Sequence, residues 1–287
     1  MSTINTMNSL EEPKRTGDTS MFRANPVLNR LKKEKVRAAG ESVTYAGIAM
    51  KTSWFLLVTL LGMVAQLLVH AALASEPVWQ SVPLYGKFVM TLTKTETLIL
   101  AGVLIGGLVT QLLGVFVRKT VPVTGSLYSA SQGYVISFLV FNVLKGYEYL
   151  GLEALLITIA VVAAMSWLYT TGRVKVNGTF RTVLLSLVLG SIAVGVFAFV
   201  GSLIPAVRPY VQLLSQNFGV AVTLDVVGIL IAALFLISDF DVIDNCVKQK
   251  LPKEYEWSAA FGLAFTVIWL YMKVLDLIMR IAGRNKD

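Results

Sequence analysis

The sequence has few residues of the kinds that catalysis and metal binding require. It contains one cysteine, Cys246, and one histidine, His70, among 287 residues. A single cysteine cannot form an intramolecular disulfide, and these two residues cannot make a Cys/His metal cluster. A catalytic Ser-His or Cys-His pair would have to use His70, the single histidine. The residues around Asp239 do not match the signature of an intramembrane aspartyl protease. We therefore predict no enzymatic activity, no metal site and no cofactor.

Charged residues are also scarce, at 15% of the chain, whereas 55% of the residues are hydrophobic. This balance excludes an ordinary soluble globule and indicates an integral membrane protein. The formal net charge of +8 would suit nucleic acid, but the basic residues lie mostly near the N-terminus and between apolar runs. Such an arrangement is typical of membrane orientation. We predict a lipid bilayer, and no nucleic acid, as a partner.

Seven apolar segments are each long enough to cross a hydrocarbon core, which requires about 20 helical residues. The segments are Thr52–Ala74, Thr97–Val117, Val123–Leu144, Gly151–Thr171, Thr182–Ile204, Val222–Ile243 and Trp257–Ala282. They predict an all-α membrane protein, a bundle of seven transmembrane helices formed by residues 43–287. Residues 1–42 are polar and basic, and we predict that they form a flexible cytoplasmic tail.

Lysine and arginine residues are distributed unevenly between alternate connectors. Seventeen of the 25 lie on the side of the N-terminus, seven lie on the other side, and Lys273 lies within a segment. Because cytoplasmic loops carry the excess of basic residues, we predict a multi-pass protein of the cell (inner) membrane. Its N-terminus would be cytoplasmic and its C-terminus external.

Five ionisable residues interrupt the last two segments: Asp239, Asp241, Asp244, Lys273 and Asp276. A charge at bilayer depth costs a few kcal/mol, on the order of 3, so such residues nearly always face a bundle interior or a wet cavity. On the sixth segment, helical geometry places Asp239 roughly opposite Asp241 and Asp244. We expect Asp239 to be the buried acid, with Asp241 and Asp244 near the cytoplasmic mouth.

The seventh segment carries Lys273 and Asp276 on one polar stripe, where three-residue spacing lets them pair. Apolar residues cover most of the remaining surface, which predicts a polar face turned inward and an apolar face turned to lipid. Gln111, Gln132 and Asn142 are amides within apolar segments. Since an unpartnered amide in hydrocarbon is costly, we expect them to face one another or the acidic residues of the last two segments.

Two interpretations of the Asp239–Lys273 combination remain open at this stage. A salt bridge between the two helices would fix their packing without moving anything. Alternatively, Asp239 would be a titratable gate on an ion path, as intramembrane acids often are.

Four stretches resemble a known family over nearly the whole chain from residue 25 onward. They are Asn25–Leu28 with Val43–Thr52, Tyr128–Gly133, Tyr169–Val176, and the hairpin of Asp239–Asp244 through Pro252–Trp257 to Ala260–Leu263 and Trp269–Tyr271. In these stretches the chain resembles the Bax inhibitor family, the transmembrane Bax-inhibitor-motif proteins, in its bacterial branch.

The resemblance implies seven helices with the seventh at the centre of the others. It also implies a pH-sensitive calcium or cation leak, gated by an acid on the sixth helix hydrogen-bonded to an acid on the seventh. Asp239 matches the first acid, and the second falls on Lys273, with Asp276 one turn further as the alternative. An Asp–Lys pair would be tightest near neutral pH and would loosen when Asp239 is protonated.

A different class of function is also compatible with the sequence. The protein would be a non-conducting regulator that binds another membrane protein, such as a quality-control protease, through its tail. The tail is basic and has few large apolar residues, a composition that suits a tether.

Overall fold

The computed structural model describes residues 42–284; the predicted basic tail lies outside this range. The described chain is mainly helical. Its elements are α1 (Tyr45–Ala72), β1 (Gln80–Tyr85), β2 (Phe88–Leu92), α2 (Lys94–Phe116), a 3₁₀ turn (Arg118–Thr120), α3 (Val121–Ser137), a π-helical turn (Phe138–Val143), α4 (Tyr149–Thr170), α5 (Gly178–Leu203), α6 (Arg208–Gln216), α7 (Phe218–Lys248) and α8 (Tyr255–Arg284).

Six helices within residues 42–284 are long and apolar enough to cross a membrane: α1, α2, α4, α5, α7 and α8. They correspond to six of the seven predicted segments, which confirms an all-α membrane protein. The third predicted segment is also helical, but it is divided between α3 and the π-helical turn that follows directly. More than half of the residues of α3 are buried, among them the polar Thr124, Ser129 and Ser137.

Side-chain caps fix where several helices begin. Thr93 and Glu96 form a capping box at the start of α2, in which each side chain binds the backbone N–H of the other residue. Asn177 accepts a hydrogen bond from Phe180 N at 2.8 Å before α5, and Asn217 accepts one from Val220 N at 3.1 Å before α7. Such caps satisfy backbone N–H groups that have no partner within the helix.

A β-hairpin follows α1 and was not predicted from the sequence. Strands β1 and β2 are antiparallel, and Tyr85 pairs with Phe88 across a two-residue turn. Gly86 in this turn has a φ of +52°, a conformation that glycine adopts without a steric penalty. The short α6 was missed as well. Both elements lie in connectors, where a search for long apolar runs gives no signal.

Helix α8 has neighbours on several sides. It packs against α1, α2, α3, α4, α7 and β1, and none of its residues from Tyr255 to Arg280 is fully exposed. The prediction that its apolar face turns to lipid is wrong for Leu270 and Val274, which are 0% and 2% exposed. Leu263, Val267 and Leu277 on the same face are half-buried. The polar stripe faces α7.

Helices α1 and α3 cross at backbone contact. A Cβ atom at Gly62 would lie 2.9 Å from Ala130 Cα, and one at Gly133 would overlap the Thr59 carbonyl and lie 3.1 Å from Met63 N. Gly62 of α1 therefore contacts the backbone of α3, and Gly133 of α3 contacts the backbone of α1, close to the same crossing point. Small residues permit such close approach of membrane helices.

Candidate functional site

The polar side chains of α7 and α8 are brought together by an antiparallel register. Along α7, Asp225 contacts Arg280, Gly228 faces Lys273, and Asp239 lies near Gly262 and Thr266. We call the end with Asp225 and Arg280 the hairpin end of the α7–α8 interface. The end close to the loop between the helices is called the connector end.

Asp239 lies within this interface and is incompletely paired. Its carboxylate faces the Thr266 hydroxyl, but that hydroxyl donates its hydrogen bond to the Gly262 carbonyl at 3.1 Å. The Oδ2 atom of Asp239 is buried and has no hydrogen-bond partner among the described residues. A buried carboxylate is normally paired or neutralised, so this orphaned oxygen marks the site as unusual.

The structure corrects the predicted Asp239–Lys273 pair. Lys273 lies seven residues beyond Thr266 in α8, about 10 Å further along the helix axis. Its side chain runs along Gly228, where a Cβ atom would lie 3.0 Å from Lys273 Cδ. The Lys273 ammonium is 3.6 Å from Asp276, and no ion pair joins Lys273 to Asp239 within residues 42–284. The register between α7 and α8 excludes the pair, and sequence spacing alone did not reveal that register.

A cluster of charged residues occupies the hairpin end. Arg280 Nε donates to Asp225 Oδ2 at 2.6 Å, and the Asp225 carboxylate is buried. The Arg280 guanidinium also lies 4.8 Å from the centre of the Tyr85 ring, and Tyr85 Oη donates to Asp276 at 2.9 Å. Through Tyr85, the β-hairpin therefore contacts Asp276 and Arg280 of α8 at this end of the interface.

Tyr85 remains a hydrogen-bond donor to Asp276 over the whole physiological pH range. Burial raises the pKa of the Tyr85 hydroxyl well above its ordinary value, and the nearby Asp276 charge raises this pKa further. Replacing Tyr85 with phenylalanine removes one hydrogen bond and keeps the ring, so we expect a loss of about 1 kcal/mol in free energy of unfolding. Denaturation of the purified variant in detergent measures this loss; Tyr210→Phe at an exposed site is the control and should lose nothing.

At the connector end, Asp241 and Asp244 line one cavity of about 690 Å³. Asp241 pairs with Arg181 at 3.0 Å, and Asp244 pairs with Lys248 at 2.6 Å. Tyr45 Oη also donates to Asp244 at 2.6 Å. Both acids are thus already neutralised by exposed cations. Across residues 42–284, no group of three or more His, Cys, Asp or Glu side chains is placed to hold a metal ion.

Asn142, one of the three predicted buried amides, pairs with polar groups other than Gln111 and Gln132. Asn142, in the π-helical turn, accepts from Gln66 Nε2 at 3.0 Å and lies 3.0 Å from His70 Nδ1. Gln66 also accepts from Ser137, and His70 is 2.7 Å from Glu96. This chain of polar groups joins α1 to α2 and to the π-helical turn. It was missed because Gln66 and His70 lie in a segment that was interpreted as purely apolar.

The other two predicted amides, Gln111 and Gln132, are only half-buried. The Gln132 amide lies near Gly107 of α2. For Asn142, whose partners are Gln66 and His70, the expected contact with the other two amides or the acids is wrong; for Gln111 and Gln132 it stays a prediction.

Sequence reasoning also missed a buried ion pair at the starts of α1 and α8. Lys51 Nζ pairs with Glu256 Oε2, and their side chains are 11% and 1% exposed. Glu256 also accepts from the N–H and hydroxyl of Thr44, at 3.0 and 3.1 Å, and Lys51 lies 5.3 Å from the centre of the Trp257 ring. Both charges lie just outside the predicted apolar segments, where charges are ordinarily solvated.

A protein-family model described as Bax inhibitor 1 like matches residues 25–283. The chain belongs to the Bax inhibitor family. No curated protein matches the chain. The match confirms the family resemblance found in the sequence motifs, and together with the six apolar helices it establishes a multi-pass protein of a lipid bilayer.

For a Bax inhibitor family member, the residue opposite Asp239 is of particular interest. The family resemblance implies an acid on each of the last two segments, in hydrogen-bonding contact. In this chain the side chain that faces Asp239 from α8 is Thr266, whereas Lys273 and Asp276 lie toward the hairpin end. Asp239 therefore has a neutral hydroxyl opposite it, in place of the amine that the sequence had predicted.

Proposed function

We propose that this protein is a pH-sensitive cation leak, in which ionisation of Asp239 admits water and cations along the α7–α8 interface. The observation that carries the proposal is the buried Asp239 Oδ2 atom, which has no hydrogen-bond partner among the described residues. Intramembrane acids are costly, and they commonly mark ion or proton paths.

The proposed topology has seven crossings in the cell (inner) membrane, with the N-terminus and the connector end cytoplasmic. The seventh crossing would be α3 together with the π-helical turn, because these two elements form one uninterrupted helical stretch over residues 121–143. Helix α8 would be the central helix. Its contacts with five other helices and the uneven distribution of Lys and Arg between connectors support this arrangement.

The proposed mechanism depends on the charge of Asp239. A protonated Asp239 is neutral, and the interface can stay closed and dry. An ionised Asp239 forms no ion pair with any of the residues that the structure describes, so it is stable only when water or a passing cation reaches it. Flux is therefore expected to increase as pH rises, the opposite of what an Asp239–Lys273 pair would give.

Polar groups on both sides of Asp239 would complete the path. Asp241 and Asp244 line the cavity at the connector end, and Asp276, which partly neutralises Lys273, lies toward the hairpin end. Calcium is the cation to test first, because the family resemblance implies it. Potassium in the same assay determines whether the leak distinguishes cations.

The test is cation efflux from proteoliposomes containing the full-length protein, measured between pH 5 and pH 8. One titrating group predicts a flux change of at most about tenfold per pH unit. Asp239→Asn, which keeps the shape and removes the ionisation, is expected to give low flux without pH dependence. Glu153→Gln neutralises an exposed carboxylate on α4 and should behave as wild type.

Flux no greater than that of empty liposomes throughout this pH range would refute the leak. Persistent pH dependence in Asp239→Asn would refute the role of Asp239. If flux is absent while deletion of residues 1–40 abolishes a cellular phenotype, the non-conducting regulator that binds a membrane protease becomes the better account. That alternative depends on residues outside the described range.

A further inference from the structure

A cavity of about 210 Å³ lies between the last turn of α2 and the first turns of α8. Phe261 and Phe265 form part of its apolar wall, and Gly114 and Gly262 line it on the two facing helices. Because both helices are long and apolar enough to span a membrane, we expect lipid next to this cavity. The cavity is large enough for part of one acyl chain and too small for another helix.

Arg118 lines the same cavity and carries an uncompensated charge. Its Nη1 atom donates to Tyr255 Oη at 2.7 Å, and its guanidinium lies 4.7 Å from the centre of the Tyr255 ring. No carboxylate forms an ion pair with Arg118 among the residues that the structure describes. The tyrosine holds the guanidinium in place, and most of its five N–H donors stay available.

Ser258 supplies a second unused donor in this cavity. It lines the wall, and its Oγ atom is buried without a hydrogen-bond partner within the described part of the chain. Buried hydroxyls are nearly always hydrogen-bonded in folded proteins. An orphaned hydroxyl beside an unpaired guanidinium therefore indicates a ligand with oxygen acceptors.

We propose that this cavity binds one anionic phospholipid, with its phosphate on Arg118 and Ser258 and the start of one acyl chain against Phe261 and Phe265. A fixed cation without a counterion selects an anion, and the apolar wall selects a molecule that carries a hydrocarbon chain. Basic pockets at the ends of membrane helices bind anionic headgroups on the same principle. The lipid site does not depend on the proposed ion leak.

The lipid would lie directly beside the candidate gate. Gly262 forms part of the cavity wall, and a Cβ atom at Gly262 would lie 4.0 Å from Asp239 Oδ1. The acyl chain and the Asp239 carboxylate are thus separated by a single glycine of α8. Occupancy of the cavity limits the space into which α8 can move at this level.

The test is native mass spectrometry of the full-length protein in detergent with added dioleoyl phosphatidylglycerol or dioleoyl phosphatidylcholine. Wild type is expected to retain one phosphatidylglycerol in preference to phosphatidylcholine. Arg118→Gln should weaken that retention about fivefold, the effect of one basic residue near a membrane surface. Lys119→Gln removes the same charge from the neighbouring residue, which does not line the cavity, and should retain the lipid.

A second pair of variants tests the cavity itself. Val115→Trp places a bulky ring at the rim of the cavity and should reduce phosphatidylglycerol retention as well; Leu112→Trp, at an exposed position of α2 outside the lining, should not. Equal retention of the two lipids by wild type, or equal losses in Arg118→Gln and Lys119→Gln, would overturn the proposal. Displacement of phosphatidylglycerol by millimolar inorganic phosphate would do so too, since the site would then bind a free anion.

Discussion

Replacing Lys51 with methionine is expected to lower the free energy of unfolding by about 3–5 kcal/mol. The change leaves Glu256 as a buried carboxylate, whose remaining partners among the described residues are the Thr44 N–H and hydroxyl. Removing one partner of a buried ion pair lowers the free energy of unfolding by more than the pair contributes to it. The remaining charge is shielded from water and no longer has an ion of opposite charge beside it. The loss is measured by chemical denaturation of the purified protein in detergent.

Two further variants identify the origin of the loss. Lys51→Met combined with Glu256→Gln removes both charges and should recover part of the lost stability. Lys248→Met makes the same substitution in an exposed pair, whose lysine side chain is 69% exposed, and should cost about 0.5 kcal/mol or less. Equal losses in Lys51→Met and Lys248→Met would show that burial of the Glu256 pair is not what stabilises the bundle.

Replacing Gly133 with valine is expected to cost about 3 kcal/mol, the upper part of the usual range for overpacking. A Cβ atom there would overlap the Thr59 carbonyl and press on Met63 N. Both obstacles are backbone atoms of α1, which cannot rotate out of the way as a side chain can. Relief of the overlap requires α1 and α3 to separate, and that would open the largest helix contact of the bundle.

Gly106→Val is the matched control for Gly133→Val. Gly106 lies in α2 with no atom within 4 Å of an added Cβ, so the same substitution meets open space there. The two variants are heated in detergent and then analysed by size-exclusion chromatography. The temperature at which the monodisperse peak disappears is compared between them. A Gly133→Val protein as heat-resistant as Gly106→Val would mean that the α1–α3 crossing is looser than its geometry indicates.

The spanning helices could be predicted because their apolar runs are long and uninterrupted. The sixth segment, predicted as Val222–Ile243, is the core of the longer Phe218–Lys248 helix. Its extra C-terminal turn is polar, and Lys248 pairs with Asp244 there. Its extra N-terminal residues are apolar, and the helix begins where Asn217 caps it. Hydropathy predicts the apolar part of the helix, whereas its ends depend on caps and side-chain pairs.

The partners of the candidate site residues could not be predicted in the same way. Periodicity correctly placed Lys273 and Asp276 within reach of each other on α8, because spacing within one helix is fixed. It could not place Asp239 opposite Thr266, because the axial offset between two helices depends on the packing at Gly228 and Gly262. The prediction of which face of α8 turns to lipid failed at Leu270 and Val274 for a related reason. A helix packed inside a bundle and a helix at its periphery can have the same composition.

The hairpin also makes backbone contact with the end of α8. Gly86, at the turn between β1 and β2, approaches the Gly283 backbone so closely that a Cβ on either glycine would meet main-chain atoms of the opposite segment. Lys87 beside it lies 4.3 Å from the centre of the Tyr147 ring. We therefore expect a displacement of the end of α8 to move the hairpin turn. A spectroscopic label attached at that turn would report such a movement.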